Sequence, residues 1–514
     1  MNCQLLYASQ INWAPILLAP LVLVAWLVIM RWWINSLIHP GPLRQSVRLQ
    51  RFQWEARLKR RSRMRAAVAR SDVRAKERNE LDLPSDEHVL WASFWMVEIY
   101  LATHTPDLKK GFARLGWTED VPGLGSIDAE KWLDDARTGH GLSWTRLGFF
   151  RPRGSALFPT ATPIELSKSF AFLSAALVQM GPGVTALITN FALAEDEQGC
   201  LEKALREAPS ARGEPVGAVG YRILSPEVVR AERVAAERER IRNEAASWIR
   251  ENLPGAFSAS REDPPTWDLI TTEKEDLIKD LRGPFGWQDI LGFRGANQWV
   301  FTAGGSNTKL GIPNSFMDES NPAPTFFGCY QDLIDGLGKG HDDSVYSLVQ
   351  SLDDDLEYLL PLWATVRAVE GYDRALSIAR DQQLPSRAGY GATRSQLRRS
   401  REVILPTARD LVTLEGLGNW LGDEQVKKWF QRGSAGLKPS KPSRESSNVA
   451  MTTWLIQRLA DESSLVRQRA DNDTKSLQAY SETLVASSNL RLQLTVLAFS
   501  AVVAALTVVT VIWR

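Results

Sequence analysis

The densest concentration of ligand-type side chains in this 514-residue chain is an acidic run, in which His341, Asp342 and Asp343 are followed by Asp353, Asp354, Asp355 and Glu357. Carboxylates are oxygen donors suited to magnesium or calcium. On one continuous helix, Asp343 and Asp354 share a face but stand about 16 Å apart, so they hold a common ion only if the helix breaks. Asp342 and Asp343 also suit a helix N-terminus, where the macrodipole favours negative charge, and the later acids suit a solvated face. Whether Asp342–Asp355 binds a cation stays open at this level.

The other candidates each lack a required part. Gly336-Leu337-Gly338-Lys339-Gly340 offers a lysine among glycines, but no Ser or Thr follows and no strand precedes, so it does not make a phosphate loop. Gly123-Leu124-Gly125 lacks the third glycine of a dinucleotide site. Gly141-Leu142-Ser143-Trp144-Thr145 lacks the second glycine of a nucleophile elbow, although His140 lies close in sequence. Cys200 and Cys329 have no marked histidine partner. No catalytic, cofactor-binding or metal-ligating residue is assigned from the sequence, and a cofactor is left unspecified.

Composition narrows the class. Hydrophobic residues make up 44% and charged residues 24%, as in a folded protein. Lys+Arg 61 nearly balances Asp+Glu 60, so overall charge gives no reason to expect nucleic acid. The three cysteines Cys3, Cys200 and Cys329 are far apart, which fits a reducing compartment and gives neither a disulfide framework nor a zinc site.

The two ends carry the strongest signal. Residues 11–30, INWAPILLAPLVLVAWLVIM, hold no charge and are long enough for the roughly 30 Å hydrocarbon core. Trp13, Trp32 and Trp33 sit where aromatic belts form. Residues 494–513, LTVLAFSAVVAALTVVTVIW, form a second candidate span. No basic residue precedes the first span, whereas Arg31, Arg44, Arg48, Arg51, Arg57, Lys59, Arg60, Arg61, Arg63 and Arg65 follow it against Glu55 alone. The positive-inside rule then places the main domain in the cytoplasm and both termini outside. Compositional impression and the lack of organelle signals suggest a bacterial inner membrane. The stretch Arg44–Arg65 is expected to meet anionic lipid headgroups or only to set topology; nucleic acid is the weaker reading because no recognised fold accompanies it.

Between the ends, the pattern predicts a basic juxtamembrane helix over 42–80, an α+β domain over 88–225, and a connecting helix over 226–252. An irregular region with short strands over 256–330 and a helical region over 331–432 follow. A linker spans 433–447, then a helix or coiled-coil stalk over 449–490. Strands are expected at 89–102, 143–151, 168–179 and 184–194, the last two forming a hairpin about Met180-Gly181-Pro182-Gly183. Thr105 is expected to cap a helix ending at Gly116, with Pro106 in its first turn. The last helix has a heptad seam through Ile456, Leu459, Ser463, Val466, Ala470, Asp473, Leu477, Tyr480, Leu484 and Ser487, continuing to Leu494, Ala498, Ala501 and Ala505. That seam serves either self-association into a homo-oligomer or packing on the chain's own domain.

The fold class is therefore an α+β cytoplasmic domain followed by a mostly α-helical region, with one transmembrane helix at each end. Three functions remain open: a membrane-anchored scaffold, sensor or assembly partner; an oligomeric channel or transporter component built on the C-terminal helix; and an enzyme with an unrecognised active site. Two experiments would separate them, the oligomeric state and a search for protein partners.

Overall fold

Val89–Tyr100, VLWASFWMVEIY, forms the central strand β1, and its successive residues feed two different cores. Trp95, Val97 and Ile99 belong to one hydrophobic cluster; Phe94, Met96 and Tyr100 belong to the other. This is the two-residue period of a strand with both faces covered, which is why its sequence reads as an unbroken apolar run.

The computed structural model describes residues 26–34, 58–59, 62–72, 82–117, 128–139, 141–155, 158–216, 220–275, 286–293, 299–302, 309–312, 324–336, 344–381, 390–427, 438–439 and 451–512. They fall into two units, residues 1–77 with 210–229 and residues 78–209 with 230–514.

The larger unit is built on a ten-stranded mixed sheet. Its strands are β1, β2 (Ser143–Pro152), β3 (Thr162–Ile164), β4 (Phe170–Gly181), β5 (Val184–Leu193), β8 (Thr266–Thr272), β9 (Trp299–Thr302), β10 (Lys309–Ile312), β11 (Thr325–Cys329) and β12 (Lys438–Pro439). The order is β12-β9-β10-β11-β8-β1-β5-β4-β2-β3. β1 pairs antiparallel with β5 and β8, while β8–β11 and β2–β3 are parallel. The β4–β5 hairpin turns where the glycines require it: Gly181 and Gly183 have φ of 153° and 81°. A Cβ on Gly181 would stand 2.9 Å from Leu417 Cδ1, so a side chain is excluded there twice over.

Residues 256–330, expected to be largely irregular, supply three neighbouring strands and a fourth at the sheet's centre. β8 is buried along its whole length, and β9 falls where a short strand was expected. Pro264-Pro265 before β8 and Pro322-Ala323-Pro324 before β11 obscure these short runs in sequence.

One face of the sheet carries α1 (Thr105–Leu115), α2 (Ala129–Thr138), α4 (Cys200–Arg206) and α5 (Pro226–Asn252), with the four-residue α3 (Glu195–Gln198) leading into α4. Phe112, Leu133, Leu201, Ile241 and Ile249 lie in the same cluster as Phe94. Asp128 caps α2 through the Glu130 and Lys131 amides at 2.9 and 3.0 Å. Thr105 does not cap α1 as expected: the N-cap is His104, and the Thr105 hydroxyl donates to the Leu101 carbonyl at 3.0 Å. The chain after Leu101 has already turned by the time it reaches Thr105, so this hydroxyl finds a carbonyl behind it.

The other face carries α6 (Ala256–Ser260) and four later helices: α9 (Val345–Leu356), α10 (Leu359–Asp381), α11 (Tyr390–Leu421) and α12 (Met451–Ile512). The small helices α7 (Trp287–Ile290) and α8 (Tyr330–Gly336) complete the set. The helix expected over 342–383 is thus divided in two. At about 1.5 Å per residue, the 62 residues of α12 extend about 93 Å. Its first half is core: Leu455, Ile456, Leu459, Ser463, Val466, Ala470 and Leu477 are buried in the cluster that also holds α10 and α11, Ser463 aside as a buried polar residue. A Cβ on Gly418 of α11 would come within 2.9 Å of Ala460 Cα, so the two backbones pass closely. Arg458 bridges to Glu370 at 2.7 Å and Arg469 to Asp373 at 2.7 Å, tying α12 to α10. The heptad seam from Ile456 to Leu477 is therefore used within the chain rather than for a coiled coil.

Beyond it the helix is exposed, with Leu490, Leu497 and Phe499 at 60%, 69% and 72%. Among the described residues this is the one helix long and apolar enough to cross a membrane, and none of its apolar window is buried. At the N-terminus, residues 26–34 are helical with Trp32 and Trp33 exposed; the rest of the expected first span lies outside the described residues. Of the expected linker 433–447, Lys438 and Pro439 pair with β9 as β12.

The smaller unit contains a helix over 62–72 and a two-stranded hairpin, β6 (Arg212–Val216) with β7 (Gly220–Leu224).

Candidate functional site

A cleft of about 530 Å³ opens in the larger unit. β8 begins at its floor with Thr266, after Pro264 and Pro265. Met96 of β1 and Phe257 of α6 form the apolar wall; Glu239, Arg242 and Asn243 come from α5, and Arg367 and Arg374 from α10. Glu262 and Asp263 complete the rim. The α5 residues sit at helical spacing, three and four apart, which brings them to one side.

Three guanidinium groups thus converge, and each has an acidic partner. Arg242 is paired with Asp268, which is fully buried in β8, and its guanidinium also lies 5.9 Å from the Trp91 ring centre. Arg374 meets Glu262 at 3.0 Å, Arg250 meets Asp263 at 2.6 Å, and Arg367 meets Glu370 at 2.7 Å. Behind the cleft, Arg238 Nε lies 3.5 Å from Asp268, and burial draws its guanidinium down to about 10, opposed by Asp268. The cleft is therefore a mixed-charge site, chemically able to hold a small polar ligand through guanidinium donors but not a strongly anionic pocket.

Next to the cleft wall, Glu98 is buried in β1 and accepts from the Phe257 and Ser258 amides at 2.8 and 3.2 Å and from the Ser258 hydroxyl at 2.7 Å. Burial pushes its carboxyl up to about 7, although these donors pull the other way. The folded value lies above the ordinary 4.5, so the native state holds a proton that the unfolded chain releases. Its contribution to stability is full below about pH 4.5 and is lost as pH rises through 7. Over that window the wild type is expected to lose up to about 3 kcal/mol relative to Glu98→Gln. Urea midpoints of the two proteins between pH 4.5 and 7.5 measure it; parallel curves would show that Glu98 does not titrate there.

The sequence candidates are not brought together. His140, His341, Asp342, Asp343, Gly123 to Gly125 and Leu337 to Gly340 lie outside the described residues, as do the side chains of Asp354 and Asp355. Gly336 is the last residue of α8. Ser143 opens β2 opposite Gln179 and is an ordinary ladder residue. Burial pushes the Cys200 thiol up to about 12, with Glu197 and Glu237 adding to it, so it stays protonated and a poor nucleophile. Cys329 donates to the Glu273 carbonyl at 3.3 Å. Asp353, the described centre of the acidic run, is a fastener: it accepts from Trp95 Nε1 at 2.7 Å, Ser174 Oγ at 2.5 Å and Asn190 Nδ2 at 2.6 Å, joining α9 to β1, β4 and β5. Burial raises its carboxyl despite these donors. Among the described residues, no three His, Cys, Asp or Glu side chains are grouped to hold a metal.

Sequence reasoning passed over Glu98, Asp268 and Arg242. The signal for the first two was present: Glu98 is the one charge in the apolar run of β1, and Asp268 stands inside Trp267-Asp268-Leu269-Ile270. A lone charge inside a buried strand needs a partner from elsewhere in the fold.

Fold and site together define a protein whose mixed-sheet domain is continuous, through one helix, with a segment able to cross a membrane. No protein-family model, curated protein or solved structure matches the chain.

Proposed function

We propose that this chain is a membrane-anchored scaffold, sensor or assembly partner whose folded domain lies on the cytoplasmic side of a bacterial inner membrane. The observation that carries this is α12, a single helix whose first half is locked into the domain core and whose second half is exposed and apolar. A helix shared in this way transmits position between domain and bilayer without a flexible joint. In this reading the first apolar segment, 11–30, is the second anchor, both termini are outside, and Arg44–Arg65 lies against anionic headgroups. The mixed-charge cleft is the place where a sensor would take a small polar ligand.

A second reading, an oligomeric channel or transporter component, is favoured by one feature: the exposed surface of α12 after Leu477 leaves Leu494, Ala498, Ala501 and Ala505 free to meet copies of themselves. Self-association in this form uses 478–513, because the earlier seam is occupied within the chain.

Two measurements test the reading. Membranes carrying the full chain are washed at alkaline pH, and trypsin is then added to vesicles of either orientation. The chain is expected to stay in the membrane pellet and to lose its domain only when the cytoplasmic face is exposed. Release by the alkaline wash, or digestion from the outer face, would sink the proposal. Light scattering in detergent, with and without residues 491–514, then separates anchor from pore: a monomer in both forms removes the channel reading.

A further inference from the structure

The cleft between α5, α6 and α10 holds one cation more than its neighbouring acids neutralise, and one acid that no cation meets. Asp268 is a single carboxylate shared by two guanidinium groups. Arg242 donates to it through Nε and Nη2, and Arg238 Nε stands 3.5 Å from it without a hydrogen bond. The other cations are balanced. Arg374 has Glu262 and Arg250 has Asp263. Glu370 meets both Arg367 and Arg458, and Glu462 takes a second bond from Arg458. One positive charge is therefore in excess at the Asp268 corner. Arg242 lines the cleft there, with its Nη1 unused by Asp268.

Glu239 supplies the opposite charge. It lines the same cavity from α5, is exposed, and makes no ion pair or hydrogen bond among the described residues. It precedes Arg242 by three positions, a spacing that sets side chains side by side on one helix face, with Cβ atoms about 5–6 Å apart. Asn243, one helical turn beyond Glu239, adds an amide to the same lining. Met96, Phe257, Pro264 and Pro265 make the rest of the wall apolar. A ligand that satisfies this cleft carries an anion and a cation close together, with an apolar part attached. An anion alone would face Glu239, and a cation alone would face the excess charge at Arg242. An uncharged apolar molecule would strip water from both and pair neither.

We infer that the cleft binds a zwitterion of the α-amino-acid type with a large apolar side chain, its carboxylate on Arg242, its ammonium on Glu239 and its side chain against Met96, Phe257 and the Pro264-Pro265 pair. This rests on the sensor reading of the cleft given above and names its ligand class. A cavity of about 530 Å³ has room for such a molecule. Selectivity then depends on the ligand carrying both charges, and on Glu239 for the ammonium.

The test is equilibrium dialysis of radiolabelled L-phenylalanine against the full chain in detergent at neutral pH. Two competitors each lack one charge: phenylalaninamide keeps the ammonium, and 3-phenylpropionate keeps the carboxylate. Unlabelled phenylalanine is expected to compete, and each of the other two to compete at least about tenfold less well. Glu239→Gln is expected to weaken phenylalanine by about tenfold and to leave 3-phenylpropionate no weaker, so that the preference for the zwitterion disappears. Glu239 is exposed and unpartnered, so this change leaves the fold alone. Ala235→Trp, at another exposed position of the lining, is expected to abolish binding by filling the cleft. No saturable binding of phenylalanine, equal competition by all the probes, or binding indifferent to both substitutions overturns the zwitterion site. None of these results touches the anchor, which is read separately by retention in alkaline-washed membranes. A chain released by that wash that still prefers phenylalanine over both competitors would overturn the anchor and keep the site.

Discussion

Asp268→Ala is expected to lower the unfolding free energy by about 3–5 kcal/mol, because it strands two cations rather than deleting one contact. Asp268 is fully buried in the central strand β8, paired with Arg242 and within 3.5 Å of Arg238. Alanine leaves both guanidinium groups in a low-dielectric site with no counter-charge. Asp268→Asn keeps the shape and some acceptor capacity, so its loss should be smaller. Urea unfolding of the full chain in detergent compares the three proteins. A cost for alanine below about 1 kcal/mol would mean that the arginines relax to solvent, and that the cleft wall they build is not fixed.

Leu459→Asp is expected to detach the core-packed first half of α12, at a cost of about 4 kcal/mol or more. Leu459 has no exposed surface and lies in the core shared with α10 and α11, so the change combines the loss of a buried leucine with a buried charge. Leu465→Asp is the matched control: the same chemistry on the same helix, at a position that is 48% exposed, and it should stay within about 0.5 kcal/mol of wild type. Limited proteolysis within 451–477 reads the detachment directly. If both variants resist cleavage equally, α12 is not held by this core and the rigid link to the apolar segment fails. For the same reason a chain shortened at 449 is a poor probe of assembly, since it removes Leu455, Ile456, Leu459, Val466, Ala470 and Leu477 from the core. Shortening at 491 leaves them in place.

Much of the fold was legible wherever the signal is local. The β4–β5 hairpin follows from two apolar runs about Met180-Gly181-Pro182-Gly183, and α5 from Ser225-Pro226 and its polar, ion-paired sequence. The apolar end of α12 follows from the count of residues without charge. The candidate site was scarcely legible. The acidic run attracted attention through its density, yet Asp353 within it is committed to Trp95, Ser174 and Asn190. The cleft side chains were overlooked, because they are spread over five elements.

What the sequence by itself determined is therefore periodicity, turn chemistry and apolar length: most strands and helices of the larger unit, the hairpin, and a C-terminal helix able to cross a membrane. Those depend on residues within a few positions of one another, and short-range sterics and hydrogen bonding decide them. Only the tertiary structure decided which strands are neighbours, that β8 lies antiparallel beside β1 with β11 parallel on its other side, that the Ile456–Leu477 seam is satisfied within the chain, and which carboxylates are buried. A heptad seam presents the same pattern to its own domain as to a second copy. A lone carboxylate in a strand does not reveal, over a separation such as the 159 residues between Glu98 and Phe257, which amide or guanidinium will meet it. Those choices are made by the burial of the whole chain at once, and no local pattern contains them.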